Sequence, residues 1–117
     1  DATADDSEVA GVTVPPGAYV VSGKLYAHVT GTGVGASLLC NLYKGSLTGT
    51  QLDVSDDMVG TGSRYSATSL LGVVKTTARQ TRLILSCSTD AATPADVTWF
   101  NVKLVATQVA SITGSTP

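Results

Sequence analysis

The chain is 117 residues long and carries nine acidic and seven basic side chains, a formal net charge of −2. That length holds one domain with a single two-layer core, and the charge offers no basic field for nucleic acid and no polybasic patch for anionic lipid. Charged residues make up 14%, well under the usual quarter, and the polar remainder is mainly Thr, Ser and Gly, which suits pleated sheet and turns. No apolar run approaches the roughly 20 residues that cross a bilayer as a helix, so no membrane insertion is expected. The chain opens without an initiator Met or a basic, apolar leader, and the expectation is that it begins after processing or truncation.

Residues 1–8 are acidic and nearly devoid of large apolar groups, and read as a flexible arm. A single domain is expected over 9–110, with 111–117 a small, polar, flexible tail. Val9, Val12 and Val14 mark a short first strand in which Gly11 breaks the alternation as a bulge would. Pro15-Pro16-Gly17 ends it, because Pro donates nothing to a ladder and Pro-Gly favours a turn. The chain then alternates over a long stretch. Tyr19, Val21, Gly23, Leu25, Ala27 and Val29 fall on one side, and Val20, Ser22, Lys24, Tyr26, His28 and Thr30 on the other. A two-residue period means a strand with one face in a core and one towards water.

Gly31-Thr32-Gly33-Val34-Gly35 is a loop. Its glycine spacing has a superficial likeness to a dinucleotide fingerprint, but it opens no helix whose free amides would hold a pyrophosphate, and no cofactor is expected. A third strand is expected over Ala36–Tyr43, a turn over Lys44–Thr50 and a short strand over Gln51–Val54. Ser55-Asp56-Asp57 is expected to turn the chain before Met58-Val59 resumes pairing, and Gly60–Ser63 is another loop. Arg64–Val74 alternates again, with Tyr65, Ala67, Ser69, Leu71 and Val73 opposing Ser66, Thr68, Leu70 and Val74. A polar turn over Lys75–Gln80 leads into Thr81–Ser88, with Leu83, Leu85 and Cys87 inward, and Thr89–Asp96 is a loop. The last strand, Val97–Val109, places Phe100, Val102, Leu104 and Ala106 on one face and Trp99, Asn101, Lys103, Val105 and Thr107 on the other. Strands at this spacing, bounded by Gly and Pro, predict an all-β, antiparallel sandwich, jelly-roll-like, of seven or eight strands.

Cys40 and Cys87 each share parity with leucines, Leu38 and Leu42 for the first and Leu83 and Leu85 for the second, so both are expected to point into the core. A disulfide between facing or neighbouring strands is the favoured reading and two buried thiols the alternative. Two Cys and one distant His make no closed tetrahedral metal set. Asp53, Asp56 and Asp57 form the acidic cluster of the domain. Without the spacing of a calcium loop, local hydrogen bonding of Asp to backbone is favoured over calcium binding.

His28 lies mid-strand on the polar side with no nucleophile elbow in the chain. It reads as a surface or interface residue and not as a triad member, and no catalytic residue is expected. Tyr26, Tyr43 and Trp99 oppose the apolar sets of their strands. Amphipathic aromatics on an outer face suit a protein interface or a glycan platform; the competing reading is that the parity is inverted and they pack inward. As an interface, self-contact is favoured, because Val20, Tyr26, Val105 and Val109 would extend a semi-apolar surface.

Four stretches carry a family resemblance: Pro16–Ser22 (P-G-x-Y-V-V-S), Cys40–Leu42 (C-x-L), Leu85–Ser88 (L-x-C-S) and Val102–Val109 (V-K-L-x-A-x-x-V). The layout resembles that of small actinobacterial and actinophage-associated β domains. The Gly17-x-Tyr19-x-Val21 stretch is also similar to the strand opening of complement-C1q-like and tumour-necrosis-factor-like jelly rolls, a group that usually assembles as trimers. The chain departs from that group in having one Phe and few aromatic core residues. What the resemblance implies is a non-enzymatic domain of a virion or of a secreted protein. The expectation is a structural or interaction module, extracellular or on a virion surface, such as a capsid decoration protein or tail-fibre domain. Its partners would be its own kind, as in a homotrimer, or capsid or tail proteins. The alternative is a secreted actinobacterial module that binds carbohydrate or a cell-surface partner.

Overall fold

A computed structural model describes residues 7–31, 36–59, 64–90 and 95–111. Seven strands follow in order, β1 (Ser7–Val14), β2 (Gly17–Gly31), β3 (Ala36–Lys44), β4 (Thr50–Val59), β5 (Arg64–Thr76), β6 (Thr81–Asp90) and β7 (Ala95–Val109). They form a four-stranded sheet in the order β1-β6-β3-β4 and a three-stranded sheet in the order β5-β2-β7. Every pairing is antiparallel. The chain is therefore the all-β sandwich that its alternation predicts.

The long alternating stretch is β2, the central strand of the three-stranded sheet, and its parity is the expected one. Tyr19, Val21, Gly23, Leu25 and Ala27 are buried, while Ser22, Lys24 and Tyr26 are exposed. They meet Leu38, Cys40 and Leu42 of β3 and Leu83, Leu85 and Cys87 of β6, all with no exposed surface. Gly23 faces the other sheet, where an added Cβ would touch Leu42 Cδ2 at 3.4 Å. On β5 the inward set is Ser66, Thr68, Leu70, Gly72 and Val74. Cys40 lies directly opposite Cys87, and the two form a disulfide with sulfurs 2.17 Å and Cα atoms 4.1 Å apart. The bridge joins neighbouring strands within one sheet and does not link the two layers.

The open edges of the two sheets lie against each other. Leu52 of β4 packs beside Gly72 of β5, where a Cβ would sit 3.0 Å from the Leu52 Cβ. Next to it Asp53 Oδ2 accepts from the Leu71 amide at 2.8 Å, and Asp53 Oδ1 accepts from the Val54 amide at 2.9 Å. The start of β2 is held by Tyr19, whose hydroxyl donates to the Pro15 carbonyl at 2.8 Å; Thr76 Oγ1 donates to the same oxygen at 3.3 Å.

Four expectations need correction. Ser7 and Glu8, expected in the acidic arm, open β1, and Glu8 forms an ion pair with Arg82; residues 1–6 lie outside the described residues, as do 112–117 of the expected tail. The β1 irregularity falls between Glu8 and Ala10 and not at Gly11. Gly11 instead leaves space for the Arg82 guanidinium, which a Cβ there would meet at 2.5 Å. Ser55-Asp56-Asp57 does not turn the chain: β4 runs unbroken, pairing Ser55 with Cys40, Asp56 with Leu39 and Asp57 with Leu38. An edge strand accommodates carboxylates more readily than a central strand does. The fourth correction concerns β7. Its register with β2 shifts between Lys24 and Tyr26, and Asn101 adopts φ 53°, a left-handed conformation that Asn tolerates better than most residues. This bulge reverses the parity of everything before it. Trp99 now pairs with buried Ala27 and packs on the core with Val102, Leu104 and Ala106, while Phe100 pairs with Tyr26 and faces outward.

Candidate interface on the three-stranded sheet

The register of β5-β2-β7 places outward side chains in rows across the sheet. Tyr65, His28 and Thr98 form one row, and Ala67, Tyr26 and Phe100 the next. Lys24 and Lys103 then stand directly opposite each other beside Ser69. Beyond them come Leu71, Ser22 and Val105, then Val73, Val20 and Thr107, then Lys75, Ala18 and Val109. Rows on one face of a strand are about 6.7 Å apart, so the face grades from aromatic through cationic to aliphatic along its length.

The aromatic end is a connected ring cluster. Tyr65 stacks on His28 with centroids 4.4 Å apart and planes 11° from parallel. Tyr26 lies against Phe100 at 5.8 Å, and Phe100 meets Tyr65 edge to face at 6.2 Å. Such pairs contribute roughly 0.5–1.5 kcal/mol each beyond the area they bury, which fixes the rings as a group. The cluster is nonetheless open to solvent, with Tyr65 72% and Tyr26 38% exposed, and beyond the lysine row Leu71 and Val105 are 64% and 53% exposed. Among the described side chains of this face there are three lysines and no carboxylate. The carboxylates whose side chains are described, Glu8, Asp53 and Asp56, all belong to β1 and β4 of the other sheet.

The three aromatics singled out from the sequence are not brought together. Tyr26 is in the cluster; Tyr43 is half-buried on the outer side of the four-stranded sheet, opposite Ile84; Trp99 is packed on the core. Val20, Tyr26, Val105 and Val109, expected to share a semi-apolar surface, do share this face. Tyr65, Phe100 and the stacking role of His28 were not read from the sequence. One signal in it points to Phe100: the apolar residues at 97 and 99 and those at 102, 104 and 106 differ in parity, the mark of an extra residue between them. Of the acidic cluster, Asp53 is engaged with two backbone amides, Asp56 is exposed, and the Asp57 side chain lies outside the described residues. Among the described residues, no three His, Cys, Asp or Glu side chains are grouped so as to hold a metal ion. Comparison with family models, with characterised proteins and with solved structures finds no match to this chain.

Proposed function

We propose that this domain is a non-enzymatic structural and interaction module whose working surface is the outer face of the β5-β2-β7 sheet. Clustering carries the reading. Of the large hydrophobic side chains left exposed among the described residues, Tyr26, Tyr65, Leu71 and Val105 share this one face, and Val54 alone lies elsewhere. Single exposed apolar residues are ordinary on a soluble protein, whereas several gathered on one face, here on both sides of a lysine row, favour a surface that meets a partner. The setting we infer is a virion surface, as a capsid decoration protein or tail-fibre domain in contact with its own kind or with capsid or tail proteins. The four-stretch resemblance, the low charge and a disulfide suited to an oxidising environment support that setting. Light scattering on a sizing column across a wide concentration range tests the assembly reading. The expected result is a mass above one chain that Leu71→Lys abolishes without lowering the melting temperature; a wild-type mass unaffected by that substitution contradicts it.

A second reading, a secreted module that binds carbohydrate or a cell-surface partner, is favoured by one observation, the highly exposed Tyr65 ring held in a stack. A glycan panel tests it: retention lost in Tyr65→Ala supports this reading, and failure of the wild-type protein across the panel removes it.

A further inference from the structure

We infer that the partner of this face is the back of a second copy of the same chain, the β3-β4 side of its four-stranded sheet, in a front-to-back contact. The inference rests on the proposed role of the β5-β2-β7 face and names its occupant.

Among the described side chains, charge disfavours the symmetric alternative. If two such fronts met, Lys24 and Lys103 of both copies would be covered with no described carboxylate on either face to receive them. An unpaired buried charge costs several kcal/mol. The back offers what the front lacks. On the outer side of β4, Val54 is 47% exposed and Asp56, two residues further along the same side, is exposed. Of the described carboxylates, Glu8 is taken up by Arg82 and Asp53 by two backbone amides, which leaves Asp56 to act outward.

The spacing also matches. Val54 and Asp56 are two residues apart on one strand, about 6.7 Å. On the front, the Leu71–Val105 row and the Lys24–Lys103 row are likewise one two-residue step apart. Seating Val54 on Leu71 and Val105 therefore brings Asp56 over the two lysines. This one contact takes up Val54 together with Leu71 and Val105 and supplies a carboxylate to the lysine pair. Because the two surfaces differ, the contact is heterologous, and its repetition gives a closed ring or a growing filament.

The test uses two charge-reversed variants of the full chain, Lys24→Glu/Lys103→Glu and Asp56→Lys, with melting curves to confirm that each is folded. All three positions are exposed. Masses are measured by light scattering up to millimolar concentration. The wild-type mass is expected to rise above one chain, each variant alone to remain at the one-chain mass of 11.8 kDa, and an equal mixture to rise above it again. Wherever the two variants alternate, every reversed front meets a reversed back and every native front a native back. Three results overturn the inference: a wild-type chain that stays monomeric, an Asp56→Lys variant that assembles like wild type, or a mixture that stays at the one-chain mass. Leu71→Lys separates this failure from failure of the underlying reading. If it abolishes an assembly that Asp56→Lys leaves intact, the face is a working surface with another occupant and only the front-to-back contact falls. If assembly ignores both substitutions, both fall.

Discussion

On the outer side of the four-stranded sheet, Asn41, Ile84, Ser86 and Ser88 are buried although they point away from the core, while on the outer side of the three-stranded sheet Tyr65, Leu71 and Val105 are more than half exposed. The first side is closed by its own residues. Its two central strands carry small or medium side chains flanked by larger ones, Gln51 donates to Asn41 Oδ1, and Arg82 reaches across Gly11 to Glu8. The second side has one interior strand, which carries Tyr26, and its edge strands β5 and β7 carry Tyr65, Leu71 and Val105, all four exposed among the described residues. The four-stranded sheet buries most of its outer side with its own residues, leaving Val54 and Asp56 of β4 exposed, and the three-stranded sheet leaves apolar and cationic groups for a partner.

The largest test of this contrast is the bridge at the centre of the four-stranded sheet. In the chain-entropy treatment, cross-linking two residues 47 apart in sequence stabilises by about 4 kcal/mol. Denaturant unfolding of Cys40→Ala/Cys87→Ala should show a loss of that order, and a change within error would remove the bridge from the account. The next concerns adjacent residues in β7. Trp99→Ala should cost about 3 kcal/mol, because a ring packed on the core leaves a cavity, while Phe100→Ala, which removes two ring contacts on the outer face, should cost about 1–2 kcal/mol. Equal costs, or the reverse order, would place the bulge elsewhere and dissolve the ring cluster. The smallest effect is a gain. Among the described residues the buried Thr68 hydroxyl has no hydrogen-bond partner, and an unsatisfied buried polar group costs roughly 1–3 kcal/mol. Thr68→Val should therefore raise the denaturant midpoint, by the lower end of that range; a fall would mean that a partner is present.

Most of the sandwich was legible in the sequence wherever a strict two-residue period ran unbroken. The β2 pattern gives the core face of the three-stranded sheet, and Leu38-Cys40-Leu42 and Leu83-Leu85-Cys87 give that of the other. The favoured disulfide joins two of those inward sets. Reading failed where one residue shifts the phase. Asn101 carries no apolar signature, so an unbroken alternation through it put Phe100 in the core and Trp99 at the surface, and the ring cluster of the candidate interface vanished with that choice. Ser55-Asp56-Asp57 misled for another reason: its polarity is that of a turn, but on an edge strand the same residues pair normally. Which side of β5 faces inward was also hidden, since Tyr65 and Leu71 look no less core-like than Ser66 and Thr68. That choice depends on which edge meets β4, a tertiary fact with no local trace.

The measurement that tests the central claim most directly is hydroxyl-radical footprinting of the wild-type protein, dilute and at assembling concentration. The account predicts that Tyr65, Leu71 and Phe100 are oxidised readily when dilute and become protected as the mass rises, while Trp99 is unchanged. A rise in mass with Tyr65 and Leu71 still fully reactive would show that the chain assembles through some other surface, and would contradict the claim that this face is the one that meets a partner.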